Sequence, residues 1–253
     1  MWLALFASLL FLTVPVAAIL VSAPPGDLLR ALDDPVAVDA LVLSVTCSLA
    51  ALAVVVAVGT PAAWMLARHR FRGKSIVTTL IELPLVLPPA VAGLGLLAAF
   101  GPLGLFGGVL DGLGVDLVLE TPAVILALVF VSAPFHIRQA QAAFESLDDS
   151  LVDASRTLGA GSWRTLVRVA VPTAAPALAA GVALAWGRAL GEFGATLMFA
   201  GSLRGVTQTA PLAIYDLFST NLLAAEAIAA VLVALSAAIL IASKLFAGRR
   251  SDG

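Results

Sequence analysis

Charge is what this sequence has least of: Asp, Glu, Lys and Arg together make up 12% of its 253 residues. A soluble domain carries about 25%, so the chain lacks the polar surface to cover a water-soluble globule. The single cysteine, Cys47, excludes an internal disulfide. Inside an apolar run it reads as a small packing residue. The two histidines, His69 and His136, stand far apart, and no Cys/His cluster offers a metal site. No basic face suited to nucleic acid is present, and the net charge of −2 points to no particular partner. The alternating ~10-residue segments of a membrane barrel are missing as well.

What is there is hydrophobic: 61% of positions, in long runs, with a mean hydropathy of +1.07. A helix needs roughly 20 apolar residues to cross the hydrocarbon core. Six stretches qualify, approximately 2–22, 38–67, 76–100, 122–141, 173–200 and 222–246. The expected fold class is therefore an all-α integral membrane protein with a single transmembrane domain over 1–253. The second stretch exceeds what a bilayer requires, so it tilts or projects into water. Pro84, Pro88 and Pro89 interrupt the third, Pro134 the fourth and Pro176 the fifth. Such breaks read as kinks in a packed bundle, where neighbouring helices satisfy the freed carbonyls.

Basic residues set the orientation. Eleven of the fourteen fall in connections 68–75 and 138–172 and in the tail. Arg30 and Arg204 lie in the opposite connections, and Arg188 lies within a span. Both termini are then cytoplasmic, with 23–37, 101–121 and 201–221 outside. The first span competes with a cleaved signal peptide. It lacks a basic start and stays apolar to Val21, which favours a retained span.

Between the fourth and fifth spans the chain spends about 30 residues, 142–172, where a bundle needs only a short turn. Asp148, Asp149 and Ser150 are good N-caps. Leu151, Ala154 and Leu158 then follow at the spacing of one apolar helix face. Gly159 and Gly161 stop that helix. Ser162 can cap a second short helix bearing Trp163, Leu166, Val167 and Val169, and Pro172 reopens the membrane segment. By pattern alone, this helix–Gly–helix unit is either a hairpin resting on lipid headgroups or a docking element for another protein.

The residues within it resemble a known family. Asp153-Ala154-Ser155, then Gly159, Val169 and Val171-Pro172 are similar in kind and spacing to the Glu-Ala-Ala…Gly…Ile-x-Leu-Pro loop of ABC-importer permeases. Asp for Glu, Ser for Ala and Val for Ile or Leu are departures. The resemblance implies a type I importer permease fold with a cytoplasmic coupling helix that seats in a groove of the ATPase subunit. Asp153, Ala154, Ser155, Gly159, Trp163 and Pro172 are the docking residues it implies. It also implies a homodimer, two ATPase subunits carrying ATP–Mg, and an external substrate-binding protein, with no cofactor in this chain.

A second stretch, Arg188-Ala-Leu-Gly-Glu-Phe-Gly-Ala-Thr in span five, resembles the molybdate branch. Glu82-Leu-Pro-Leu-Val-Leu-Pro-Pro89 and Arg156-Thr-Leu-Gly-Ala-Gly161 do so too. Molybdate is the implied cargo, with tungstate and sulfate or thiosulfate as alternatives. On physical grounds, charges at mid-membrane face the bundle interior or water, which applies to Arg188, Glu192 and Glu82. Arg188 and Glu192, four apart, can pair. The pair either lines an oxyanion path or locks span five to its neighbours. The second is preferred, because a strong permanent anion site would slow release. Glu82 also reads as structural. Gly187, Gly191 and Gly194 give span five a smooth face, for packing or for a two-fold interface around the pathway.

Gly73-Lys74-Ser75 imitates the end of a phosphate-binding loop, but position 68, where the earlier glycine belongs, is Arg68. ATP hydrolysis is expected in a separate chain. Connection 101–121 carries Asp111, Asp116 and Glu120 and no base, which suits docking of a delivering protein better than attraction of a bare oxyanion. A secondary transporter would not need the long loop. A membrane enzyme would need clustered nucleophiles or carboxylates, and the sequence offers none.

Overall fold

In a computed structural model of the protein, residues 1–21 and 24–248 are described. Ser22, Arg249 and Arg250 lie outside them. Every regular element among the described residues is helical. Five helices are long and apolar enough to cross a membrane, and a sixth candidate is a sharply bent pair, by its shape a broken span or a re-entrant loop.

α1 (Trp2–Val21) is followed by the short α2 (Pro25–Ala31) and by α3 (Pro35–Arg68). α3 starts on Asp34, whose carboxylate accepts the Val36 N–H at 2.8 Å. Pro35 takes the first helical position, where a missing N–H costs nothing. At 1.5 Å per residue, its 34 residues reach about 51 Å, well past a ~30 Å hydrocarbon layer. The excess lets Trp64 and Arg68 reach the long loop.

The expected third span is not one helix. α4 (Lys74–Val86) and α5 (Pro89–Phe100) meet at a bend of 119°. Pro88 and Pro89 have no N–H to continue the α4 ladder and push the residue before them into extended backbone. Leu87 and Pro88 accordingly sit at ψ 133° and 135°.

α6 (Gly107–Gly112) occupies the connection to α7 (Thr121–Glu145). α7 is the centre of the bundle, with α3 on one side and α10 (Val171–Leu190) on the other. The contact positions are small: Ala51, Ala123, Ala127, Ala140 and Ala185 are fully buried. In lipid no hydrophobic force pulls helices together, so close backbone approach through small residues does it. Large side chains such as Leu9, Phe11, Val58 and Leu80 point outward. α1 is unburied along its length and touches the body chiefly at α13 (Leu222–Gly248).

Span five also divides. α10 ends at Leu190, and α11 (Gly194–Ala200) begins after three non-helical residues. Glycine at 191 and 194 weakens the helix. The Glu192 side chain then caps the new one, accepting the Ala195 N–H at 2.7 Å. α12 (Ala210–Leu217) follows in the connection to α13.

The long loop departs from expectation in three ways. α8 (Asp149–Thr157) forms as anticipated, but the second short helix is not separate. α9 (Ser162–Thr165) passes through a π-helical turn, Leu166–Ala170, straight into α10. Pro172 therefore sits inside a continuous rod, just beyond the widened turn that accommodates its ring. Ser162 is the first helical residue rather than the cap, and its hydroxyl accepts the Trp64 indole N–H at 3.3 Å. Finally, the Leu151, Ala154 and Leu158 face of α8 points out as expected, but Ser155, expected on the docking side, turns in with Val152 against the chain.

Candidate functional site

The loop is built to hold α8 in one position. The Asp148 carboxylate accepts the Ser150 N–H at 2.9 Å. That hydrogen bond holds its pKa below the ordinary carboxylate value. At the other end Gly159 adopts φ +80°. The Gly159 N–H bonds Arg156 O at 2.9 Å and the Ala160 N–H bonds Ser155 O at 3.0 Å, the paired bonds that close a helix on a left-handed residue. A Cβ at 159 would meet no atom within 4 Å, so glycine is needed there for its φ and not for space. Ser155 and Thr165 hydroxyls hydrogen-bond at 2.9 Å in a buried contact that ties α8 to α9. Ser155, grouped above with the docking residues, is thus turned inward.

What faces outward is apolar. Leu158 is 88% exposed, Trp163 67% and Leu151 44%, with Ala154 exposed between them. Asp153 flanks them and makes only a loose contact with Arg156 at 3.9 Å. The result is a short helix held rigidly from behind, with leucines and a small residue in front. Pro172 is not on α8; it stands exposed at the start of α10.

The membrane candidates form a second group. Arg188 Nη2 lies 2.6 Å from Glu192 Oε2. Both Glu192 oxygens are engaged, one by Arg188 and one by the Ala195 N–H, and the residue is 1% exposed. Arg188 retains 30% side-chain exposure. Gly194 is a close-packing position: its Cβ would lie 2.7 Å from Pro89 Cβ. A Cβ at Gly187 would meet nothing within 4 Å and Gly191 is exposed, so their smooth face is not used within the chain. Glu82 belongs elsewhere, paired with Arg138 Nη1 at 3.0 Å.

Several structural partners carry no sequence signal. Arg138 lies within α7, not in the loop where it was counted, and its partner is 56 positions away. Arg68 pairs with Asp149, and Thr60 Oγ1 hydrogen-bonds the buried His136 ring at 2.9 Å. Each pairing joins segments far apart in the chain, which periodicity cannot reveal. Gly73, in the loop-like Gly-Lys-Ser stretch, turns the chain into α4 with φ +85°.

A helical bundle of membrane-crossing length, with one braced loop helix offering an apolar face, has the architecture of a transport permease subunit. The chain belongs to the family described as binding-protein-dependent transport system inner membrane component, which matches residues 59–251. It is thus the permease subunit of an ABC importer, a multi-pass protein of the membrane. It is 39% identical over 235 residues to the molybdenum transport system permease protein ModB of Mycobacterium tuberculosis, covering 93% of this chain and 89% of that one. It is 38% identical over 218 residues to a probable sulfate transport system permease protein cysT of Chlorella vulgaris, covering 85% and 82%. The fold is shared with a bacterial ABC transporter involved in import of the acidic polysaccharide alginate, at TM-score 0.77 and 18% identity, covering 97% and 92%.

Proposed function

We propose that this permease imports molybdate, as one of two copies that enclose an alternating-access pathway. Two ATPase subunits carrying ATP–Mg dock on the α8 face, and an external binding protein delivers the ion. Both termini then lie in the cytoplasm, on the side of Arg68, Arg138, Arg156, Arg164 and Arg168, in keeping with the positive-inside bias. The observation that carries the docking reading is the outward apolar face Leu151, Ala154 and Leu158 on a helix locked from behind. An apolar patch rimmed by polar residues marks a protein contact.

Molybdate rests on the relative 39% identical over nearly the whole chain. Sulfate is the second reading, supported by the relative 38% identical over 85% of it. Tungstate shares the chemistry of molybdate. Membrane vesicles holding permease, ATPase and binding protein should take up radiolabelled molybdate, with tungstate competing and sulfate in excess leaving uptake unchanged. Uptake of sulfate that molybdate does not displace would overturn the assignment.

The Arg188–Glu192 pair is better read as a brace than as an anion site, since Glu192 already neutralises the guanidinium. The open Gly187 and Gly191 face supports a contact between the two copies. Docking itself is tested at Gly159. A leucine there must adopt φ +80°, which costs roughly 1–2 kcal/mol even for an unbranched residue, and the chain beyond α8 is re-aimed. ATPase copurification should be lost; unchanged assembly and transport would sink the docking reading.

A further inference from the structure

α3 holds the loop at two points, and both grips come from one face of its last turn. Arg68, the final residue of α3, pairs through Nη1 with Asp149 at the start of α8. Its Nη2 donates to Leu147 O at 2.9 Å. One turn earlier, the Trp64 indole N–H reaches Ser162, where the loop enters α9. The Arg68 guanidinium carbon lies 5.6 Å from the Trp64 ring centroid, within cation–π range. Trp64 in turn stands edge-on to Phe144 of α7, centroids 5.3 Å apart at 88°. Arg68 is only 11% exposed, although Asp149 is 84% exposed. A long cationic side chain is thus drawn in and ordered to grip the N-terminal end of α8.

The other end of the same helix is fastened just as firmly. Asp39 accepts from Arg204 at 3.1 Å, and the Ser44 hydroxyl accepts the Ala210 N–H at the start of α12 at 2.6 Å. Ser48 accepts the Trp186 indole N–H from α10 at 3.0 Å. One unbroken helix therefore runs from the α8 loop to the 201–221 connection at the opposite end of the bundle.

From this geometry we propose that Arg68 is a positioning residue for transport, the joint through which displacement of α8 is delivered to α3 and, along it, to the far-side connection. The proposal rests on the docking reading above. Rigid elements joined by charge-assisted hydrogen bonds are what carry coupling between distant sites. α8 keeps its own fold without Arg68, because its caps and the Ser155–Thr165 bond are independent of it. Loss of Arg68 therefore separates docking from transmission.

The test uses the complete complex, reconstituted in proteoliposomes with its ATPase and binding protein, and reads ATP hydrolysed per molybdate ion imported. A wild-type complex that fails to assemble or to import molybdate overturns the proposed function itself, before any variant is compared. Given a working complex, Arg68→Gln should still copurify with the ATPase and hydrolyse ATP. Its ATP used per ion should rise by about 5-fold or more, the low end of ordinary coupling between sites. Asp149→Asn, at an exposed position, should raise the ratio in the same direction, and Arg68→Lys should fall between. An unchanged ratio in Arg68→Gln and Asp149→Asn overturns the proposal. If Arg68→Gln does not fold, Asp149→Asn decides alone: a wild-type ratio overturns it.

Discussion

Glu192 bridges the end of one helix and the start of the next, with Arg188 at 2.6 Å on one carboxylate oxygen and the Ala195 N–H at 2.7 Å on the other. The broken fifth span is stitched together at this residue. Its carboxylate supplies the acceptor for the Ala195 N–H in the first turn of α11 while holding the last turn of α10 through Arg188, so the break is a built feature rather than a fray.

Replacing Glu192 with Gln should destabilise the protein by about 2–3 kcal/mol. Removing one partner of a fully buried pair costs about 3–5 kcal/mol, and the 30% exposure of the Arg188 side chain lets water recover part of it. Thermal unfolding in detergent measures this. Arg188→Leu with Glu192→Gln together should cost less than the sum of the two single changes.

Leu158 touches little of its own chain, being 88% exposed. Leu158→Asp should leave the melting temperature unchanged and weaken ATPase copurification sharply. Val152→Asp, on the buried side of the same helix, should do the reverse in order of cause, unfolding the loop first. A Leu158→Asp permease that retains its ATPase would place the docking face elsewhere.

Two glycines should respond oppositely to alanine. At Gly93 the new Cβ would lie 2.7 Å from Ala195 O and 2.7 Å from Met198 Cβ. α5 and α11 must then part, at a cost of about 1–3 kcal/mol. At Gly187 the new Cβ would meet no atom within 4 Å, and alanine should be neutral or stabilising by up to about 1 kcal/mol, its helix-propensity advantage. Gly187→Leu should fold equally well yet dissociate two-copy assemblies, read by mass in detergent, if that open face meets a second copy.

The Asp148 cap should give way in acid. Its carboxylate titrates below the ordinary value of 3.8 because the Ser150 N–H stabilises the charged form. A group with a depressed folded pKa stabilises the fold above its unfolded value and loses that contribution as pH falls through the folded one. Exchange of the Ser150 amide, corrected for the intrinsic rate, should therefore accelerate below about pH 3.8. Asp148→Ala should show the fast rate already at neutral pH, with little further acid effect.

Composition and hydropathy made the membrane bundle legible, because span length depends only on the bilayer and the helix rise. The α8 caps and its Gly159 stop were equally readable, being local chemistry. The apolar face Leu151, Ala154 and Leu158 was legible too, as a face for lipid or a partner, but not its backing, the packing of Thr165 and Leu166 behind Val152 and Ser155. The break in span three was visible as prolines, though not its sharpness, whereas span five was expected to kink at Pro176, which lies inside α10, and breaks instead at 191–193. Whether Pro88–Pro89 kinks a helix or turns it through 119° depends on what α5 packs against, namely Gly93 on Ala195.

The π-helical turn at Leu166–Ala170 fixes the angular phase of everything downstream of it. Each residue of an α-helix advances about 100° and 1.5 Å. Trimming one residue there to restore ordinary pitch would screw α10 round by that amount relative to α8. Arg188, some twenty positions further on, would be carried to a different side of the rod. The loop end of this rod thus acts as an index mark for the membrane end, and a one-residue deletion at 166–170 is equivalent to rewriting which residues face the centre of the bundle.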